Sequence, residues 1–135
     1  MFDIKKNDPA VTAEVGYTFN IVLPDGTKTD ATVTVRGANS PVVRNFSRRV
    51  YQEFQVKKEQ ARRRGRDVED MSIEEAEKLA ADSAAERVMQ WTGIAEDGVE
   101  VEFNKTNAVR VMLAYPFLRE QVMEASDNVF NFSKS

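Results

Sequence analysis

The chain has 135 residues, 41% hydrophobic and 30% charged, with a formal net charge of -3: enough for one domain with a modest core and too little for two. It contains no cysteine and no histidine, which excludes disulfides, thiolate nucleophiles, imidazole bases and the usual zinc sites. No stretch nears the roughly 20 apolar residues of a membrane span, and the opening MFDIKKNDPAV lacks a signal-peptide core, so a soluble, intracellular protein is expected.

From Val15 to Leu23 the odd positions (Val15, Tyr17, Phe19, Ile21, Leu23) are apolar and Thr18 and Asn20 fall between them, the alternation of a half-buried strand. Pro24-Asp25-Gly26 predicts a turn, and Ala31, Val33 and Val35 resume the alternation between Asp30 and Arg36. The two runs form an antiparallel hairpin over 13–36. Ser40 followed by Pro41 predicts a helix start, and Val42, Phe46, Val50 and Phe54, widened by Val43 and Tyr51, make its apolar stripe. This helix runs to about Arg64, before Gly65, and its last turns are almost wholly polar. A mobile linker is expected at 62–71.

Ser72-Ile73-Glu74-Glu75 has the form of a capping box. The helix it opens has its apolar face on Ile73, Ala76, Leu79, Ala80, Ala84, Val88 and Trp91 and ends at Gly93. Glu96-Asp97-Gly98 predicts a turn, and Val99, Val101 and Phe103 alternate as a strand. Asn104 then caps a short helix ended by Pro116, and another runs from Pro116 to about Ala125. The expected class is α+β and predominantly helical: an N-terminal β-hairpin and about four helices within a single small domain at 1–126, then a polar C-terminal tail at 127–135.

Charge is unevenly distributed. Between Arg36 and Arg66 there are ten basic residues against two acids, and between Asp67 and Arg87 eight acids against two bases. The basic helix, with Arg44, Arg48, Arg49, Lys57 and Lys58, has the character of a phosphate-binding stripe, but no helix-turn-helix, ribonucleoprotein or zinc pattern accompanies it. A charge-complementary pair of helices, within one chain or between subunits, accounts for both blocks with one cause. The carboxylates Glu69, Asp70, Glu74, Glu75 and Glu77 suit a helix N-terminus better than a Mg²⁺ or Ca²⁺ site, and the glycines form no phosphate-binding loop. Trp91 is either a partner anchor or, as is commoner for a lone tryptophan on an apolar face, a core residue. Phe130 and Phe132 lie on the polar tail, where docking to a partner and burial both stay open. The candidate protein-binding residues are thus Arg44, Arg48, Arg49, Lys57, Lys58, Trp91, Phe130 and Phe132.

The acid-rich helix closing in Trp91-Thr92-Gly93-Ile94, the Glu96-Asp97-Gly98 turn, the strand ending in Phe103, Asn104 opening a helix, Tyr115-Pro116 and Asn131-Phe132 together resemble the tail assembly chaperones of long-tailed bacteriophages. The N-terminal hairpin also looks like this group. The resemblance implies a non-enzymatic bacteriophage protein of the host cytoplasm, absent from the mature virion; from the residues themselves, no cofactor, metal or membrane partner is expected. Its implied partners are the tape measure protein, other copies of itself, a frameshift-extended form of itself and the major tail protein. Small helical subunits of this kind shield the apolar stripe of a long helix by avidity until tube subunits displace them. The opposed charge blocks suggest head-to-tail self-contacts. A nucleic-acid-binding accessory protein using the basic helix and a structural tail component are the alternatives.

Overall fold

A computed structural model describes residues 1–67 and 70–132. In chain order the elements are α1 (Pro9–Thr12), β1 (Tyr17–Val22), β2 (Lys28–Val35), α2 (Pro41–Arg63), α3 (Ile73–Arg87), β3 (Val88–Thr92), β4 (Ala95–Glu96), β5 (Val99–Glu100), α4 (Lys105–Ala114) and α5 (Pro116–Asp127), followed by a 3-10 turn over Val129–Phe132. The class is α+β with helix predominating, and the N-terminal hairpin stands where the alternation places it.

The hairpin forms because its turn is built from local chemistry. Gly26 takes φ +91°, a conformation open to glycine, and the Asp25 carboxylate accepts from the Thr27 amide at 2.9 Å. Tyr17 then pairs with Val35 and Phe19 with Val33. One sheet face is apolar, with Val33 and Val35 fully buried. The other carries the cross-strand hydroxyl pairs Thr18–Thr34 and Thr32–Thr92, each 2.7 Å apart. At the far end of β1 the Gln121 side chain of α5 donates to the Val22 carbonyl at 2.7 Å and accepts from its amide at 2.8 Å, imitating a neighbouring strand.

The helix starts follow their caps. The Ser40 hydroxyl accepts from the Val43 amide at 3.4 Å, Ser72 from Glu75 at 3.1 Å, and the Asn104 carbonyl oxygen from Asn107 at 2.8 Å. Ala81 and Ala84 of α3, Val111 and Met112 of α4, and Val122 of α5 fill the core beneath the sheet, all at 0–1% exposure. Small side chains on α3 let α4 pack closely against it.

Three expectations are corrected. The helix opened by Ser72 ends at Arg87 rather than near Trp91, and Val88–Thr92 is a third strand, antiparallel to β2. The register there shifts so that Val88 lies opposite Val35 and Trp91 opposite Val33, with Met89 as the extra residue of a bulge. Next, the run from Val99 to Phe103 pairs only over Val99–Glu100, in a tight hairpin with Asp97 at φ 51° and Gly98 at φ 78°, the left-handed pair that a two-residue turn needs. Finally, the polar tail expected at 127–135 is folded in over its described residues: α5 continues to Asp127, whose carboxylate holds Arg87 at 2.5 Å, and the 3-10 turn buries Phe132. Ser133, Lys134 and Ser135 lie outside the described residues. Of the expected linker, Arg62 and Arg63 are the last residues of α2, while Val68 and Glu69 lie outside the described residues.

Candidate functional site: a partner-binding surface

Helix α2 has 23 residues, about 35 Å at the usual rise, yet Val43 is its single buried residue. Ser40, Pro41 and the i, i+4 stripe explain why it forms. They do not explain how it stays folded, because a helix of this length draws most of its stability from covering an apolar face. Antiparallel to it runs α3, fastened near the base of the pair by Arg49 and Glu86 at 3.6 Å. Beyond that ion pair the two helices flank a groove of about 700 Å³ whose apolar lining is Val50, Tyr51, Phe54, Met71 and Leu79. Tyr51 is 63% exposed, Phe54 48% and Ile73, at the start of α3, 78%.

The groove has walls of opposite charge. Helix α2 carries seven basic residues against two acidic, and α3 five acidic against two basic. Near the tip of the pair Lys57 stands on one rim and Glu74 and Glu75 on the other. Among the described residues, Arg44, Arg48, Lys57 and Lys58 form no ion pair, nor do Glu74, Glu75 and Glu77. Glu59 is the local exception: Arg62, and secondarily Arg63, hold its carboxyl below the usual range. The unpaired charges are free to meet charges on a partner.

The five basic candidates therefore share one exposed helix. Arg49 also lies over the Phe46 ring, 5.7 Å from its centre. The aromatic candidates separate. Trp91 is core: its indole N–H donates to the Val101 carbonyl at 2.8 Å, and its ring meets Phe103 edge-on at 5.1 Å. Phe132 is core as well, edge-on to Tyr17 at 6.3 Å. Phe130, two residues earlier, is 83% exposed. Sequence reasoning placed Tyr51 and Phe54 on an apolar stripe but did not name them among the candidate binding residues. The pointer was the polarity of the last turns of α2, which signals that those turns have left the core.

A second concavity, of about 590 Å³, opens between the β1–β2 turn and the α4–α5 junction, with Leu23, Ile94 and Phe117 among its walls. Beside it Arg110 Nη1 lies 2.7 Å from Glu96 Oε1, and the Tyr115 hydroxyl donates to Glu96 Oε2 at 2.8 Å. The tyrosine hydrogen bond, then Arg110, hold the Glu96 carboxyl below its ordinary range, and the same carboxylate pushes the Tyr115 hydroxyl up. Because Glu96 titrates lower in the folded state, its contribution is present above the ordinary carboxylate range and is lost as pH falls through the folded value. Tyr115→Phe is expected to raise the Glu96 midpoint in an NMR titration of the side-chain carboxyl; an unchanged midpoint would show that Arg110 alone sets it.

Among the described residues no cluster of three or more acidic side chains is placed to hold a metal ion, and no helix is long and apolar enough to cross a membrane. No curated protein and no solved structure matches the chain. A family model described as YdaY prophage protein matches residues 39–135, from the residue before the Ser40 cap through both walls of the groove to the end of the chain. That match spans well over half of the chain, and the protein is therefore a bacteriophage-derived member of the YdaY prophage protein family.

Proposed function

We propose that this prophage protein is a non-enzymatic tail assembly chaperone, which coats the tape measure protein while the tail is built. The observation that carries the reading is the exposed apolar groove between α2 and α3, with Tyr51 and Phe54 uncovered on a helix that buries only Val43. A groove of this form takes the apolar stripe of an amphipathic helix, the recurring helix-in-groove mode of recognition. A long tail-length helix offers that stripe many times over, and weak sites repeated along it hold by avidity while remaining displaceable. The prophage family and the resemblance of the Trp91-to-Phe132 half to tail assembly chaperones supply the context. On this reading the protein acts in the host cytoplasm and is absent from the finished virion. A frameshift-extended form of the chain and the major tail protein are its further partners.

On this reading the same prophage encodes a long helical neighbour, the tape measure protein, and co-expression with it tests the proposal. The neighbour is expected to be soluble and to co-purify with this chain, and to be lost to the pellet when Tyr51 and Phe54 are both replaced by aspartate. A neighbour that stays soluble alone and never co-purifies overturns it.

A further inference from the structure

We propose that a second copy of this chain covers the α2–α3 groove before any client arrives, in a twofold pair with α2 of each copy lying against α3 of the other. The pairing deepens the function proposed above, since it names what occupies the same groove in the free protein.

Position of charge along the hairpin selects this arrangement. Two blocks of opposite sign in succession suggest head-to-tail contacts as long as the chain is treated as a line. Helix α3 runs back alongside α2, so Lys57 on α2, with Lys58 next to it in the chain, stands at the same level as Glu74 and Glu75 on α3. A basic and an acidic wall side by side at one level form a self-complementary surface. Rotating a second hairpin by half a turn about the long axis of the first brings each basic wall onto the other's acidic wall. The contact then closes on itself, which a head-to-tail contact does not do. Placing the twofold axis across the hairpin instead would lay α2 of one copy over α2 of the other, basic wall on basic wall, and α3 over α3, acidic on acidic.

The apolar content supports the same geometry. Val50, Tyr51, Phe54 and Leu79 of two copies would meet along the axis as the seam of a four-helix arrangement. Each aromatic side chain brings on the order of 150–250 Å² to such a seam. Self-pairing thus shields the surface that a chaperone must keep from aggregating, and a client helix replaces it by offering the same stripe.

The protein has no cysteine and its groove charges are exposed, so both charge reversal and engineered cross-links are clean. Sedimentation equilibrium on the pure chain is expected to show a dimer that weakens with added salt. Lys57→Glu/Lys58→Glu and Glu74→Lys/Glu75→Lys are each expected to weaken self-association by about tenfold or more, because like charges then face each other. Mixed together, the two variants are expected to recover wild-type association, since both walls are again complementary. Independently of those variants, mixed Lys58→Cys and Glu74→Cys chains are expected to give the mixed disulfide in excess of either self-disulfide. A wild-type chain monomeric throughout the micromolar range overturns the pairing, as does reversal without effect or a mixture of folded variants that fails to re-associate. None of these measurements contains a client, so loss of the dimer with retained co-purification would remove this inference and leave the proposed function standing.

Discussion

Replacing Trp91 by alanine is expected to remove about 3–5 kcal/mol of folding stability, the range for deleting a large aromatic side chain from a core. A domain of this kind is typically held by only about 5–15 kcal/mol in total, so the variant approaches the unfolding threshold. Trp91 carries three separate contacts. It lies opposite Val33 in the sheet, its N–H satisfies the Val101 carbonyl, and its ring meets Phe103 edge-on. Truncation opens a cavity between β3 and the segment leading into α4, and leaves a carbonyl without its donor. Trp91 is the sole tryptophan, so unfolding in urea is followed by far-UV circular dichroism rather than fluorescence. Trp91→Phe keeps most of the ring and is expected to fall between the two. A loss below about 1 kcal/mol for the alanine variant would be the response of a surface residue and would contradict the packing described.

The second large effect is a contrast between near neighbours. Phe132→Ala is expected to cost about 3–5 kcal/mol, whereas Phe130→Ala is expected to change stability by no more than about 0.5 kcal/mol. Phe132 is 6% exposed and closes the core beneath Tyr17, and it presses against the chain at Gly37. A Cβ added to Gly37 would lie 2.8 Å from the Ala13 Cβ and 3.1 Å from the Phe132 ring, so that glycine exists to let three segments meet. Phe130 faces solvent with 83% of its surface. Equal urea midpoints for the two variants would show that the 3-10 turn contributes nothing to the fold. Should Phe130→Ala instead reduce co-purification of the tail-length partner at unchanged stability, that ring would join the binding surface.

The misreading of Trp91 has an identifiable cause. Ala81, Ala84, Val88 and Trp91 recur at intervals of three and four, the spacing of a helix face. In the structure the first two do face the core from α3, whereas Val88 and Trp91 face it from a strand. They share a side because Met89 is the extra residue of a bulge, which converts the strand's interval of two into three. Local pattern cannot separate these cases. A different ambiguity affected Tyr51 and Phe54: an apolar stripe at helical spacing announces that something will cover it and is silent on whether the cover belongs to the same chain.

What the amino-acid order determined by itself is everything decided within a few residues. The caps at Ser40, Ser72 and Asn104 and the turns at Asp25-Gly26 and Asp97-Gly98 are contacts between near neighbours, so their chemistry is written consecutively. Hairpin, helix starts and fold class follow from them. The tertiary structure alone decided the third strand, the burial of Phe132 and the uncovered groove. Those outcomes depend on partners far away in the chain: Thr92 reaches back to Thr32 across 60 residues, and Ser126 to Arg36 across 90. A side chain's fate at that range is settled by which surfaces are left to cover it once the local elements have formed, and among the described residues none covers Tyr51 and Phe54 of α2.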